Sequence, residues 1–349
     1  MTADLIVVGA GPVGLLTALL AARAGMSVEV VEQRRGPIDK ACGEGIMPAG
    51  LNLLAAIGVD PDGMPIRGIR YVAGDRQVEA DFAHGPGRGV RRLVLAEQMR
   101  RAAAESGVVL IEGKLIGLAQ GASSVTAHLA DGSLRSAAYV VGADGLHSTV
   151  RRLAGLESSR QRAMDRRRWG LRQHFALRPW TDLVEVHWST GAEAYVTPVG
   201  RDVVGVAVLS GDRSTFATHL ESFPALRELL GDAEAVSAPR GAGPLSQRSL
   251  ARTRGRIALV GDAAGYVDAL TGEGMSVGWR QAAALVTAIT QDALPDYERL
   301  WRRVVRRSSL LTGGLLAASA FQPARALLVP AAQRIPSLFG AAVNAASRG

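Results

Sequence analysis

Three glycines near the N-terminus constrain the fold of this chain more than any other sequence feature. Gly9, Gly11 and Gly14 stand in GxGxxG spacing, directly after the apolar run DLIVVG and before a helical pattern over residues 12–25. In such a unit the first glycine permits a tight turn, the second lets the backbone approach a pyrophosphate, and the third lets the helix pack close to the strand. The helix N-terminus adds free N–H groups and the positive end of its dipole. The sequence therefore predicts a dinucleotide-binding βαβ unit.

An acidic residue indicates which dinucleotide the unit binds. A second strand is predicted over residues 27–33, and Glu32 lies at its end. A carboxylate at this position accepts a hydrogen bond from a ribose 2′-OH and repels a 2′-phosphate. We therefore expect FAD or NAD as the bound nucleotide, and not NADP. The predicted binding site also includes Pro12, Gln33 and Arg34.

Two later motifs favour FAD over NAD. The apolar strand AYVVGA leads into GADG at residues 142–145, and the strand RIALVG leads into GDAAGYVDALTGEG at residues 261–274. An aspartate at a strand end, such as Asp262, can accept a hydrogen bond from a ribityl hydroxyl. The glycine-rich loop then points the N-terminus of the next helix at the ligand, where the dipole would stabilise an anionic reduced flavin. The flavin contacts predicted from these motifs are Asp144, Asp262, Gly272, Gly274 and Met275.

The three motifs, in this order, resemble the fingerprints of FAD-dependent enzymes of the aromatic-hydroxylase (group A flavoprotein monooxygenase) and geranylgeranyl-reductase type. The resemblance covers nearly the whole chain. It implies an α/β fold with a Rossmann-like FAD-binding domain of the glutathione-reductase type, an inserted antiparallel-sheet substrate domain and a helical C-terminus. It also implies that the first motif and Glu32 bind the ADP half of FAD, that the third binds the ribityl chain and the isoalloxazine, and that the middle motif serves FAD and a transient NADPH or NADH.

Two smaller features refine this resemblance. Arg92 stands at the head of a predicted helix, where the family has a residue that contacts FAD, and it could pair with the pyrophosphate. A surface arginine on an amphipathic helix is the alternative. Gly265 stands where many hydroxylases have a histidine. The motifs CGEG and LTGEG resemble the geranylgeranyl-reductase branch more closely.

The segment KACGEGIMP, residues 40–48, contains the single cysteine of the chain, Cys42. Gly43 and Gly45 are predicted to let the backbone approach the flavin, with Cys42 lining the cavity on its substrate side. The sequence places no histidine nearby to activate a thiolate and no second cysteine to form a redox pair. A pocket-wall role is therefore favoured over inert packing and over a proton donor or reactive thiol.

The region between the FAD motifs changes to the alternating pattern of β-strands. Four strands are predicted between residues 169 and 209, continued by strands at 66–74 and 76–82 in an antiparallel meander. The predicted boundaries are 1–65, 90–165 and 251–294 for the FAD-binding domain, 66–89 and 166–250 for the substrate domain, and 295–349 for the C-terminal helical region. The predicted substrate pocket contains Tyr195, Pro198 and His174, although a histidine that alternates with apolar residues is more often structural.

The C-terminal region and the overall charge bear on possible partners. Residues 308–324 are uncharged over about the length of a membrane span, but Pro323 and paired glycines interrupt them. A helical cap or a lid over a lipophilic channel is favoured over a span, with peripheral membrane contact as a further alternative. The net charge is +8, yet the arginine runs at 165–169 and 301–307 lack aromatic interleaving and predict solvated helix faces instead of a nucleic-acid site. One cysteine excludes a disulfide framework and a cysteine-rich zinc site, and we expect no metal.

Three functions are compatible with these features. The leading hypothesis is an NAD(P)H-dependent monooxygenase that hydroxylates an aromatic or polyketide-like substrate through a flavin C4a-hydroperoxide. The alternative is a flavin-dependent reductase of prenyl or other lipophilic C=C bonds, and the third is a non-catalytic flavin-binding module. The N-terminus has no basic region before its apolar run, so we expect a structural strand there and not a signal peptide, and a cytoplasmic protein. We expect its partner to be a small-molecule substrate. The sequence identifies neither catalytic residues nor the oligomeric state.

Overall fold

A computed structural model describes residues 2–158 and 167–347 of the chain. The predicted domain boundary between residues 165 and 166, and the first part of the arginine run at 165–169, lie outside the described residues. The helices are α1 (Pro12–Arg23), α2 (Pro48–Ala56), α3 (Arg92–Glu105), α4 (Thr149–Leu153), α5 (Phe216–Leu220), α6 (Pro224–Leu230), α7 (Gly274–Thr290), α8 (Tyr297–Ala320), α9 (Gln322–Arg334) and α10 (Pro336–Ser347).

The strands of the described residues form two large sheets and two small ones. They are β1 (Ala3–Val8), β2 (Val28–Glu32), β3 (Gly45–Ile46), β4 (Met64–Ile66), β5 (Gly68–Ala73), β6 (Arg76–Asp81), β7 (Gly87–Gly89), β8 (Val109–Glu112), β9 (Leu115–Gln120), β10 (Val125–Leu129), β11 (Leu134–Gly142), β12 (Trp169–Ala176), β13 (Leu183–Trp188), β14 (Ala192–Gly200), β15 (Val203–Ser210), β16 (Arg240–Ala242), β17 (Gln247–Arg248), β18 (Thr253–Arg254), β19 (Ile257–Leu259) and β20 (Gly265–Tyr266).

The first large sheet has a parallel centre in the order β19-β11-β1-β2-β8, with β18 and the β9–β10 hairpin added antiparallel. Its central strands are apolar on both faces because both faces are covered. One face packs on α1, α3 and α7 through Leu15, Met99 and Trp279. The other face packs on α4 and the hairpin through Val150 and Val125. This is the predicted α/β fold of an FAD-binding domain.

The turn between β1 and α1 has the geometry that the glycine motif requires. Gly9 has a φ of +107°, a conformation that L side chains rarely adopt. A Cβ added to Gly14 would overlap the carbonyl oxygen of Gly9. Only glycine at the third motif position therefore lets α1 begin this close to the end of β1.

The second large sheet has the order β16-β12-β15-β14-β13-β5-β6. Its pairs are antiparallel except that β13 and β5 run parallel. The expected antiparallel meander is thus broken at one pair, because β5 and β6 come from an early insertion and join the edge of a sheet made from residues 169–242. One face packs on α5 and α6 through Phe216 and Leu226. The other faces the first sheet and the C-terminal helices.

The helices after residue 294 cover one side of the second sheet. Arg325 at the start of α9 donates to the backbone oxygens of Ser189 and Ala192, and Asn344 in α10 donates to that of Asp81. No single helix in the described ranges is long and apolar enough to cross a membrane. The segments Leu294–Ala320 and Gln322–Arg334 pass that test only as a pair, which is bent by 118°.

Replacement of Trp279 tests the packing of α7 against the first sheet. Trp279 is completely buried, and its Nε1 donates to the carbonyl oxygen of Pro12 at 3.1 Å. Trp279→Ala removes a large core side chain and should lower the free energy of unfolding by about 3–5 kcal/mol. Urea unfolding followed by circular dichroism measures the change.

Leu134→Ala is the control, because Leu134 is 60% exposed. A surface substitution of this kind should change stability by no more than about 0.5 kcal/mol. Equal unfolding midpoints for the two variants would contradict the described packing of α7.

Candidate active site

A cavity of about 750 Å³ lies where the carboxyl ends of the first sheet meet the second sheet and the C-terminal helices. Its cofactor half is lined by the glycine motifs and by the segment that contains Cys42. Its other half is lined by the second sheet and by α8, α9 and α10. The predicted site residues that line it are Gly9, Gly11, Pro12, Glu32, Arg34, Cys42, Gly43, Gly45, Arg92, Asp144, Tyr195, Asp262, Gly272, Gly274 and Met275.

Four predicted residues lie outside the cavity wall. Gly14 lies behind the β1–α1 turn, where it serves helix packing, and the Gln33 side chain is exposed. His174 is buried behind the wall, at 2% exposure. Pro198 lies against Gly89, because its carbonyl oxygen occupies the place where a Cβ of that glycine would stand.

The carboxylate of Glu32 is held at the end of β2 by two backbone N–H groups. Ala10 donates to its Oε2 at 3.0 Å, and Arg34 donates to its Oε1 at 3.0 Å. These bonds fix the carboxylate beside the β1–α1 turn while it remains on the cavity wall. The position suits a hydrogen bond from a ribose hydroxyl on a nucleotide whose phosphates lie at the turn.

Arg92 is a buried cation whose guanidinium faces the same turn. Its Nη1 lies 3.6 Å from the sulfur of Met275, and its Nη2 lies 3.9 Å from the position of a Cβ on Gly11. Within the described ranges its Nε has no hydrogen-bond partner, and no carboxylate lies within salt-bridge distance. A buried arginine in this state, beside a glycine turn at a helix N-terminus, fits a pyrophosphate.

The third motif presents an aspartate and a helix N-terminus to the cavity. Asp262 lies 3.5 Å from Nζ of Lys40, and both side chains are about one-third exposed. The helix α7 begins at Gly274 on the cavity wall. Its N-terminal N–H groups therefore offer a positive dipole end to a ligand in the cofactor half.

Asp144 has a structural role at the edge of the cavity. Its carboxylate accepts hydrogen bonds from the Ser148 hydroxyl and from the backbone N–H groups of Thr149 and Val150, so it caps α4. Burial raises the pKa of this carboxyl group above its usual value. Both oxygens already have partners within the protein.

Glu44, in the CGEG segment, is a buried anchor that sequence reasoning missed. It is 1% exposed and adopts a φ of +60°, which is unusual for a residue other than glycine. Its Oε1 accepts from the backbone N–H of Arg92 at 2.8 Å, and its Oε2 lies 2.7 Å from Nε2 of His174. The segment is thereby fixed, with Cys42 on the cavity wall; the Cys42 sulfur accepts from the Glu44 N–H at 3.4 Å.

The ring of His174 has a defined hydrogen-bonding pattern. Nη1 of Arg172 lies 3.0 Å from its Nδ1. Because a guanidinium can only donate, Nδ1 accepts and Nε2–H donates to Glu44. Arg172 itself forms an ion pair with Asp39. His174 is therefore a link between the second sheet and the CGEG segment.

Three tyrosines face the cavity, of which the sequence pattern indicated only Tyr195. Its hydroxyl donates to the carbonyl oxygen of Leu270 at 2.7 Å. Tyr71 and Tyr266 also line the wall, and neither hydroxyl has a hydrogen-bond partner in the part of the chain that is described. Tyr266 lies against the start of α7, with its hydroxyl 3.5 Å from the position of a Cβ on Gly274. Burial raises the pKa of Tyr266 well above its usual value, so the phenol stays protonated.

The wall contributed by the C-terminal helices is entirely apolar. Every residue after Met275 on the cavity wall has an aliphatic or aromatic side chain or is glycine. These residues are Leu310, Leu311, Gly314, Leu315, Ala318, Leu328, Ala331, Ala332, Ile335, Leu338, Phe339, Ala342, Val343 and Ala346. In the described ranges, no group of three or more His, Cys, Asp or Glu side chains could hold a metal ion.

The chain resembles reductases and monooxygenases over most of its length. It is 31% identical to menaquinone reductase of Mycobacterium tuberculosis over 330 residues, which cover 86% of this chain and 79% of the relative. It is 29% identical to digeranylgeranylglycerophospholipid reductase 2 of Methanosphaera stadtmanae, over 78% of this chain and 74% of the relative. It is 28% identical to 6-methylpretetramide 4-monooxygenase of Streptomyces rimosus, over 93% and 88%.

The fold is also found in solved structures. The flavin-dependent brominase Bmp2 superposes with a TM-score of 0.82 over 100% of this chain and 94% of that chain, at 15% sequence identity. The family model described as FAD binding domain matches residues 2–292. The resemblance predicted from the three motifs is confirmed, FAD is the cofactor, and NAD(P)H is the usual electron donor in such families. The chain belongs to the FAD binding domain family and is an FAD-dependent oxidoreductase.

Proposed function

We propose that the protein uses FAD to reduce a carbon–carbon double bond in a lipophilic, chain-like substrate such as a polyprenyl lipid. The observation that carries the proposal is the apolar wall built by α8, α9 and α10. A hydrocarbon chain gains free energy by leaving water for such a wall, and it needs no polar partner there. Two relatives named as reductases, one of menaquinone and one of a digeranylgeranylglycerophospholipid, support a lipid substrate.

The cofactor half of the cavity supplies groups for each part of FAD. In this proposal Glu32 would accept from the adenosine ribose, Arg92 would pair with the pyrophosphate, and Asp262 would accept from the ribityl chain; the hydrogen bonds of Glu32, the unpartnered Nε of Arg92 and the cavity lining support it. The N-terminus of α7 would face the flavin ring. FAD bound at these residues and reduced by NADPH or NADH would supply a hydride for the reduction.

Reduction of a double bond also needs a proton, which the protein must deliver to the second carbon. The Tyr266 hydroxyl lines the cavity beside the start of α7 and has no hydrogen-bond acceptor in the described part of the chain, so its proton is available to a substrate there. Its proton would pass to the substrate carbon as the hydride arrives at the other, and solvent would restore the phenol. The surrounding aliphatic residues exclude water from the reacting atoms.

Oxygen-dependent hydroxylation, the leading hypothesis from the sequence motifs, is here the second candidate. The match to 6-methylpretetramide 4-monooxygenase over 93% of this chain supports it. A phenolic substrate would benefit from a base close to its hydroxyl. The acidic residues on the described wall, Glu32, Glu44, Asp144 and Asp262, all lie in the cofactor half, and no histidine lines the cavity. For this reason we place the reductase first.

An anaerobic turnover assay separates the two functions. The FAD-loaded protein is reduced with NADPH or NADH in the absence of oxygen and then mixed with detergent-dispersed menaquinone that carries an unsaturated side chain. We expect the yellow colour of oxidised FAD to return, and mass spectrometry of the lipid to show a gain of two hydrogen atoms. The hydrogens must be located in the side chain by fragmentation, because reduction of the quinone ring gives the same mass.

A product that forms only with oxygen and gains one oxygen atom would overturn the reductase assignment. Reduction confined to the quinone ring would also contradict it.

Removal of either carboxylate in the cofactor half should weaken FAD binding. Glu32→Ala and Asp262→Ala each delete an acceptor for FAD hydroxyls. A hydrogen bond to a charged group contributes about 1.5–3 kcal/mol, which is a roughly 10- to 150-fold increase in Kd. Titration of the apoprotein with FAD, followed by flavin fluorescence, measures the change.

Glu112→Ala is the matched control for Glu32→Ala. Glu112 pairs in register with Glu32 on the neighbouring strand, is half exposed and lies outside the cavity wall. FAD affinity should be unchanged in this variant. Full FAD occupancy in purified Asp262→Ala would show that the third motif has been assigned wrongly.

Tyr266→Phe tests the source of the proton. The variant keeps the ring but loses the hydroxyl, so it should bind FAD and lose turnover by about 10²-fold or more. Stopped-flow reoxidation of the reduced, FAD-loaded variant by the lipid measures the chemical step.

Tyr71→Phe makes the same chemical change in β5 of the second sheet, where the ring packs edge-on against Phe339. It should keep most of its activity. If Tyr71→Phe loses turnover and Tyr266→Phe does not, the assignment to Tyr266 fails.

Cys42→Ser should retain FAD and turnover if the thiol is only part of the wall.

A further inference from the structure

The cavity reaches the protein surface between the C-terminal helices, and its rim there is apolar. Leu310 in α8 and Leu338 in α10 line the cavity, yet they are 68% and 65% exposed. Ile335, between α9 and α10, also lines it and is 52% exposed. Side chains that are on the wall and in solvent at once mark an opening. We call these three residues the rim.

Exposed apolar side chains continue from the rim along the same helices. Phe321, between α8 and α9, is 65% exposed, and Leu327 in α9 is 59% exposed. Neither residue lines the cavity. Leu327 lies one helical turn before Ala331 of the cavity wall, so the two residues share a face of α9. Scattered exposed leucines are ordinary, but exposed apolar side chains that adjoin a cavity opening indicate an interaction surface.

The exposed side of α8 adds positive charge next to this apolar surface. Arg303, Arg307 and Leu310 are exposed and follow one another at helical spacing, so they share one face. Gly314 and Ala317 continue that face and are exposed as well. Arginine at one end and apolar residues at the other match the two layers of a bilayer surface, in which anionic headgroups lie above acyl chains.

We propose that the rim and the adjoining face of α8 dock on an anionic lipid bilayer, so that the cavity opens directly into the membrane. Exposed arginines beside an apolar rim complement anionic headgroups above acyl chains, which favours a bilayer over a second protein as the occupant. The docking follows from the surface alone. The passage of substrate from bilayer to cavity rests on the function proposed above.

Vesicle flotation of the FAD-loaded protein tests the docking. We expect the protein to float with vesicles of phosphatidylglycerol and phosphatidylcholine, and to float less with phosphatidylcholine alone or at high salt. The double variants Leu310→Asp/Leu338→Asp and Phe321→Asp/Leu327→Asp should each lower the bound fraction at least tenfold. The FAD content of each purified variant reports whether it is folded.

The control is Leu134→Asp/Val109→Asp, which changes apolar side chains that are 60% and 55% exposed and lie in β11 and β8 of the first sheet. It should float like the unchanged protein. Equal flotation of control and rim variants, or no flotation of the unchanged protein, would overturn the proposal. Self-association that Leu310→Asp/Leu338→Asp abolishes, seen by light scattering without vesicles, would assign the surface to a second copy and overturn it also.

The menaquinone assay in detergent keeps the two proposals apart, since detergent delivers the lipid without a bilayer. Flotation without reduction would refute the reductase and leave the docking in place. Reduction in detergent without flotation would refute the docking alone.

Discussion

The buried carboxylate of Glu44 joins the two halves of the molecule. It receives the backbone N–H of Arg92 from the cofactor half and the imidazole N–H of His174 from the second sheet. A buried charge of this kind is stable only while its partners remain, and removal of one partner is strongly destabilising. The same contacts set the place of Arg92 and of the wall next to Cys42. Together with the Thr197 hydroxyl, which donates to the carbonyl oxygen of Gly43, Glu44 therefore fixes the CGEG segment against the second sheet.

The sequence was sufficient wherever the determinant is local. The βαβ unit follows from Gly9, Gly14 and Glu32, because each acts within one turn, one helix contact or one strand end. The aliphatic C-terminal cap could also be anticipated, since its composition excludes most other roles. In each of these elements, the residues that determine the structure lie close together in the sequence.

Determinants that join distant segments could not be found in this way. Glu44 and His174 meet from opposite parts of the chain, and nothing in the pattern of β12 distinguishes a histidine that faces the cavity from one that faces Glu44. Tyr266 looked like one residue of a glycine-rich loop, and its exposure to the cavity depends on how that loop meets α7. The parallel pairing of β5 with β13 likewise depends on where an insertion docks. The alternation of apolar and polar side chains along β5 does not indicate which strand it pairs with, or in which direction.

One part of the apolar cavity wall is separate in the chain from the FAD-binding motifs. The matched FAD binding domain ends at residue 292, and the helices that supply the apolar wall begin at Tyr297. The FAD-binding motifs and the wall built by α8, α9 and α10 thus come from consecutive stretches of the chain, while the second sheet supplies the rest of that half of the wall from within the matched domain. Substitutions in α8, α9 and α10 can change the length and width of the cavity, and so the size of substrate that fits, without changing the FAD-binding motifs. Substrate preference can therefore change through these helices while FAD binding is retained.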